Sequence, residues 1–282
     1  MPELAIITDS TAYIPPELIS KYRLQVAPQV VIWDGQEMRD GIDILPAEFY
    51  ARLTTSKTMP TTSQATVASF MTLFEPLVAR GVPILSILLS PHLSGTIASA
   101  EQAKKEFPGA RIEIVNSEAV SMALGYQVLA AARAAEAGAS FDEVLAVAQR
   151  AKAQTGVVFL VDTLEFLHRG GRIGGAARFM GSALNLKPLL ELRDGRVEAL
   201  EKVRTRAKAR ERLLEVVVER VKGKANLRLA TLHASAEEDA KSLLAEAVAR
   251  LHPIEQHLTD VSPAVGTHAG PGTLGIAYCT EI

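Results

Sequence analysis

The chain has 282 residues, 48% hydrophobic and 22% charged, with a mean hydropathy of +0.15, which excludes disordered, collagen-like and coiled-coil chains and leaves a packed protein of about two domains. The formal net charge is −2, yet the segment from Glu165 to Arg228 holds 16 Lys/Arg against 8 Asp/Glu, leaving −10 on the rest. One basic surface is expected, to meet phosphates, an acidic partner or only solvent; without interleaved aromatics or a nucleic-acid motif, no nucleic-acid partner is expected. The longest apolar runs, 82–89 and 157–161, fall short of the roughly 18 residues of a membrane span. Cys279 is the only cysteine, so no intrachain disulfide can form, and Met1-Pro2-Glu3-Leu4 lacks the basic and apolar regions of a secretory signal. A cytoplasmic location is the expectation.

In chain order, Leu4–Thr8 reads as a buried strand, followed by the polar Asp9-Ser10-Thr11 and a helix-start signal at Ile14-Pro15-Pro16-Glu17. Leu24–Trp33 reads as one extended stretch turned back by Gly35, and Pro46–Leu53 as a short helix. A Thr/Ser-rich segment, 54–66, leads into a helix with Val67, Phe70, Met71, Phe74, Leu77 and Val78 at helical spacing, bent or split by Pro76. A strand at Ile84–Leu89, the loop Ser90–Leu93 and a helix over about 94–107 follow. Then come a strand at Arg111–Val115 and Ala-rich helices over about 120–137 and 141–154. Alternating strands and helices predict a largely parallel sheet covered on both faces, with ligands at its carboxyl edge, near Asp9-Ser10, Ser90–Gly95 and Asn116-Ser117.

The second half reads as a strand at Gly156–Val161, a helix at Leu164–His168, the glycine-rich 170–175 and a helix over about 176–185. Asp194-Gly195, between Pro188–Leu192 and Arg196–Val203, predicts a β-hairpin. A basic amphipathic helix over about 207–221, strands at Leu227–His233, Ile254–Asp260 and Gly275–Thr280, and a helix at Glu237–Leu251 complete a mixed-sheet unit. The expectation is α/β, with an N-terminal domain over 1–154 and a C-terminal domain over 155–282.

No Walker loop, dinucleotide glycine motif, zinc helix, paired-cysteine motif or nucleophile elbow occurs. His92, His233, His252 and His257 show no metal-ligand spacing, and no metal is expected. What remains is hydroxyls and glycines before helices: Thr61-Thr62-Ser63-Gln64 and Leu93-Ser94-Gly95-Thr96. Helix N-termini with added hydroxyls suit a carboxylate or phosphate, and the same residues also suit plain N-caps. His268, followed by Ala269-Gly270-Pro271-Gly272, sits at a rigid turn as an anion donor, an acid/base or a structural histidine. Arg169 and Arg172, beside Gly170-Gly171, supply a guanidinium to the same anion or flank a helix C-cap. Phe70, Met71, Phe74, Phe166, Phe179 and Met180 are either tunnel lining or ordinary core.

Together with Asp9-Ser10-Thr11, Lys187-Pro188-Leu189, the Asp194-Gly195 turn and Val203-Arg204, these motifs in this order resemble the DegV family, bacterial proteins that bind a fatty acid and include the FakB-type subunits of fatty acid kinase. The resemblance spans nearly the whole chain. It implies two α/β domains holding one long-chain fatty acid, no other cofactor, and a carboxylate bound by hydroxyls near the domain junction. By motif, Thr62 and Ser94 would contact the carboxylate, with Ser63, Gly95 and Thr96 nearby and His268 and Arg172 as direct or indirect donors. Asn116-Ser117 stands where the family commonly has Asp-Ser, and Ala65 where a proline usually follows Ser-Gln. A FakB-type role is to present the carboxylate to a separate ATP-dependent kinase, docked on Arg204, Arg206, Lys208 and Arg210. Two other readings stand beside it: a small esterase or acyl transferase with Ser94 as nucleophile and His268 as base, and a lipid sensor without a kinase.

Overall fold

A computed structural model describes residues 4–181 and 186–281. The first part runs β1 (Ala5–Asp9), a 3-10 turn (Ser10–Ala12), α1 (Pro16–Tyr22), β2 (Gln25–Ala27), β3 (Val30–Trp33), β4 (Gln36–Arg39), α2 (Pro46–Thr55), β5 (Thr61–Ser63) and α3 (Val67–Val78). It continues through β6 (Ile84–Leu88), α4 (Thr96–Lys104), β7 (Ile112–Asn116), α5 (Ser121–Glu136) and α6 (Phe141–Ala151). After these come β8 (Thr155–Leu160), α7 (Glu165–Arg169), a 3-10 stretch (Gly174–Phe179), β9 (Lys187–Arg193), β10 (Arg196–Val203) and α8 (Arg206–Val221). The last elements are β11 (Arg228–His233), α9 (Glu237–Leu251), β12 (Glu255–Asp260), α10 (Pro263–Ala269) and β13 (Leu274–Cys279).

The chain is α/β. β2-β1-β6-β7 form a parallel sheet, and β10-β9-β8-β13-β11-β12 a mixed one built only from strands after residue 154. α5 packs against strands of both sheets, which is why every residue from Ser121 to Ala132 is buried and why the helix is rich in alanine instead of one-sided. Strands of the mixed sheet alternate faces. Val157, Leu232 and Ala277 join the core around α5, whereas Val158, Leu229 and Ile276 join a second core under α8 and α9. No helix among the described residues is long and apolar enough to cross a membrane.

Several expectations change. The stretch 24–33 is two strands, because Pro28 lies between β2 in the parallel sheet and β3 in a separate antiparallel sheet, β4-β3-β5. That small sheet takes β5 from the Thr/Ser-rich segment, where three-residue pairing leaves no periodicity to read. α3 runs unbroken through Pro76, which sits in its last turn and forgoes one backbone bond, to the Thr72 carbonyl, without ending the helix. The helix expected over 176–185 is a 3-10 stretch ending at Phe179, and 182–185 lie outside the described residues. His268 lies in the last turn of α10, a helix the Gly-Pro-Gly signal obscured, and Gly270 ends that helix with φ +79°.

The hairpin forms as expected, Arg196 pairing with Arg193 across Asp194-Gly195. Its tip docks on the loop after β6: the Ser90 hydroxyl donates to the Gly195 carbonyl at 2.8 Å. A side chain at residue 195 would fall on that hydroxyl, so glycine is required there by close approach as well as by φ +74°.

Candidate functional site

The carboxyl ends of β1 and β6 are tied by a buried side chain. Asp9 accepts the Thr11 N–H at 3.0 Å, the Thr11 hydroxyl at 2.6 Å and the Leu89 N–H at 2.9 Å. Asn116, the last residue of β7, and Ser117 after it accept the N–H groups of Glu118 and Ala119. Between this edge, β5 and the mixed sheet lies a cavity. Its apolar walls include Val157 and Phe159 from β8, Leu192 from β9, Val197 from β10 and Leu232 from β11.

The cavity's polar lining includes Thr62, Ser94, Arg172 and His268, brought together from four parts of the chain, together with Ser63. Thr62 does not sit at a helix N-terminus. It pairs with Val31 in the small sheet, and the α3 cap is Thr66, whose hydroxyl accepts the Ser69 N–H at 3.1 Å. The N-cap of α4 is Gly95, with Ser94 just outside it and no side-chain cap. Gly95 and Thr96 do not border the cavity. Thr96 is fully buried, with its hydroxyl 2.9 Å from Ser94 Oγ and accepting Gln29 Nε2–H at 2.9 Å.

Sequence reasoning missed Gln29 and Gln64, which also border the cavity. The Ser94 hydroxyl donates to Gln29 Oε1 at 3.4 Å, and Gln64 lies against the Gly95 Cα. The only sequence signal for Gln64 was its place after Thr62-Ser63, and Gln29 carried none. None of Phe70, Met71, Phe74, Phe166, Phe179 and Met180 borders the cavity. Phe70 and Phe74 fill the core under α3, while Met71 and Met180 are exposed.

Thr62 Oγ1 lies 2.7 Å from His268 Nε2. His268 Nδ1 faces the Gly170 Cα and is buried without a partner. Burial, followed by the charge of Arg172, pushes the imidazole down from 6.5 to about 4, so it is neutral at pH 7. Arg172 donates from Nε to the Leu93 carbonyl at 2.9 Å and from Nη1 to the Gly170 carbonyl at 2.6 Å. It thereby ties the Ser94 loop to the glycine turn that seats His268. Ser94 is hydrogen-bonded to Thr96 and Gln29, and His268 to Thr62; among the described residues no Ser94–His268 bond forms and no acid orients Nδ1, as a serine nucleophile and its base would need.

Residues 3–281 match the profile of the uncharacterised DegV family. The chain belongs to the DegV family. It is 38% identical over 280 residues to a DegV domain-containing protein of Streptomyces coelicolor, covering 99% of each chain. It is 33% identical to protein DegV of Bacillus subtilis, covering 98% of this chain and 99% of that one. Among solved structures, it superposes with a TM-score of 0.93 on a fatty-acid-binding DegV family protein from Thermus thermophilus, 36% identical, covering 99% of this chain and 100% of that one. DegV of Bacillus subtilis, a fatty acid binding protein, gives 0.90 at 32% identity over 100% of both chains. A stearic-acid-binding protein from Eubacterium ventriosum gives 0.92 at 25% identity over 98% of both chains.

Proposed function

We propose that this DegV protein binds one long-chain fatty acid in the cavity, its carboxylate at the Thr62–Ser94 end, and presents that carboxylate to a fatty acid kinase. The observation that carries the reading is an apolar cavity bordered by two hydroxyls, one paired with a neutral histidine, in a family with fatty-acid-binding structures. Some 15 buried methylenes at about 0.8 kcal/mol each give roughly 12 kcal/mol before ordering costs, against about 1.5–3 kcal/mol for a hydrogen bond to a charged group. The tail supplies affinity and the hydroxyls supply orientation.

The unpartnered Nδ1 favours one tautomer. A buried N–H without an acceptor is costlier than an unused lone pair, so the proton belongs on Nε2, donating to Thr62 Oγ1. The Thr62 hydroxyl proton is then free for the carboxylate. In this reading His268 aims Thr62 and Arg172 braces the turn behind it; Ser63 borders the cavity beside Thr62, and Gly95 and Thr96 shape the loop behind Ser94 without bordering it.

The division into domains 1–154 and 155–282 follows the strand partition and puts the cavity at their seam, and a cytoplasmic location suits an ATP-dependent partner. Of the basic residues considered for kinase docking, Arg206 is held by Asp162 at 2.9 Å and Asp239 at 2.8 Å, and Arg210 by Glu246. Arg204 and Lys208 are exposed and carry the docking reading.

Native mass spectrometry beside a solvent-extracted sample tests the binding reading. The expected result is a one-to-one adduct that extracts as a fatty acid and is lost in Thr62→Ala/Ser94→Ala. A protein that stays ligand-free after incubation with mixed fatty acids refutes it.

A further inference from the structure

Asp40, directly after β4, is 2% exposed and does not border the cavity. It borders a separate surface groove, shared with Asp9, Glu17, His257 and Asp260. Its two oxygens reach in different directions. Oδ2 accepts the Ser10 hydroxyl at 2.6 Å, and that same Ser10 oxygen accepts the Gln29 N–H at 3.0 Å. Gln29 in turn reaches into the cavity, where its side chain holds Thr96 and Ser94. Oδ1 accepts the Ala264 N–H at 3.4 Å, in the first turn of α10. Four residues further along that helix, His268 meets Thr62.

One carboxylate thus stands where two arms meet, one ending at Ser94 and the other at the Thr62–His268 pair. We infer that Asp40 is a positioning residue that sets the separation of these two hydroxyls, and so their fit to a carboxylate, without touching the ligand. The inference rests on the fatty-acid reading above. The arms join parts of the chain that no single element holds in register: the loop after β1, the end of β4, and α10. α10, seven residues long, packs on α7, α2, β3 and β5, and the Asp40 contact at its N-terminal turn adds to what sets where His268 lies.

The groups facing Asp40 are Asp9 on β1, Tyr13 after the 3-10 turn, Tyr50 on α2 and Ser262 before α10. Glu17, His257 and Asp260 share its groove. Burial, opposed chiefly by the hydrogen bond from Ser10, with the nearby Ser262 hydroxyl and the Ala264 N–H, leaves the Asp40 carboxyl at about 6. It therefore changes charge between pH 7.5 and 5.5, while His268, at about 4, stays neutral. Protonation, or Asp40→Asn, puts a donor where Oδ2 accepted, so the Ser10 hydroxyl must turn round to accept from residue 40 and its own proton loses its acceptor, which weakens the Gln29 arm.

The test is calorimetric titration of delipidated protein with palmitate at pH 7.5 and 5.5. Asp40→Asn is expected to bind about tenfold more weakly than wild type at pH 7.5, and wild type is expected to lose more affinity than Asp40→Asn between the two pH values. The ligand's own titration is common to both proteins and cancels in the comparison. Ser10→Ala, which cuts only the Gln29 arm, should weaken binding while keeping a pH step. Equal affinity and equal pH dependence in wild type and Asp40→Asn would overturn the inference. Should Asp40→Asn fail to fold, ring-labelled histidine NMR of the wild type decides: the His268 signals should shift with a midpoint near pH 6, and a flat response overturns the inference. A wild type that binds neither palmitate nor any of the mixed fatty acids refutes the fatty-acid reading, and the NMR titration then tests the Asp40 clamp by itself.

Discussion

Gly170→Ala adds a single methyl group behind His268, at the edge of the cavity. Gly170 has φ −75° and ψ −6°, helical values that alanine adopts freely, so the backbone does not resist the change. The new Cβ would fall on His268 Nδ1, far inside contact distance. Carbon and nitrogen need roughly 3.5 Å, so the ring must withdraw by about 1 Å or more. That movement breaks the 2.7 Å contact between Nε2 and Thr62. If aiming the Thr62 hydroxyl contributes as a hydrogen bond to a charged group does, about 1.5–3 kcal/mol, the affinity for palmitate falls roughly 10- to 150-fold. Stability should fall by about 1–3 kcal/mol from overpacking. Calorimetry and thermal unfolding on the same preparation separate the two effects. Gly171→Ala is the control: its φ of +69° carries strain, but nothing lies within 4 Å of a Cβ there. Gly171→Ala should lose stability and keep its affinity. Wild-type affinity in Gly170→Ala would refute the view that His268 aims Thr62.

The histidine also leaves a mark on acid stability. Its folded value of about 4 lies below the unfolded 6.5, so between these pH values the unfolded chain binds more protons and stability falls as pH drops. At pH 5 this amounts to about 2 kcal/mol; denaturation of His268→Gln from pH 7 to 5 should recover that difference, and parallel curves for variant and wild type would count against a neutral buried imidazole. Asp40, raised to about 6, acts with the opposite sign: the folded state binds the extra proton below pH 6, so Asp40→Asn should lose stability relative to wild type as pH falls through that range. At the hairpin tip, Gly195→Ala places a methyl on Ser90 Oγ and strains a residue at φ +74°; a loss of about 2 kcal/mol is expected, and an unchanged melting temperature would mean the hairpin is not docked. Arg204→Glu/Lys208→Glu should weaken co-purification with a fatty acid kinase while leaving palmitate affinity intact, and an undiminished complex would remove these residues from the docking surface.

The limits of what could be read from the residues are physical. Long periodic elements were legible: α8 and α9 show their apolar stripes, and Asp194-Gly195 announces its turn, because these signals are local and repeat over several turns or flank a defined pair. Thr62, Ser94, Arg172 and His268, four of the polar residues at the cavity, could be named by their resemblance to family motifs, since strings such as Thr62-Ser63-Gln64 and Ser94-Gly95-Thr96 are local in the sequence. Their local setting was misread. Thr62 belongs to a three-residue strand whose partner, Val31, is set by long-range pairing, and His268 to a short helix whose ending looks like a turn. Phe70 and Phe74 fit a tunnel as well as a core, because periodicity reports that a side chain is buried and not what it is buried against.

Composition, hydrophobic periodicity and turn chemistry in the sequence by themselves determined an α/β chain with a parallel sheet first and a mixed sheet after it, because these depend on neighbours within a few residues. Only the tertiary structure decided that α5 lies between the sheets, that Gln29 and Gln64 reach the cavity, and that Gly170 leaves room for the imidazole. It alone showed that Asp40 connects to both hydroxyls through separate arms. Those relations join residues as much as 224 positions apart, and a hydrogen bond between them exists only once the intervening chain has packed.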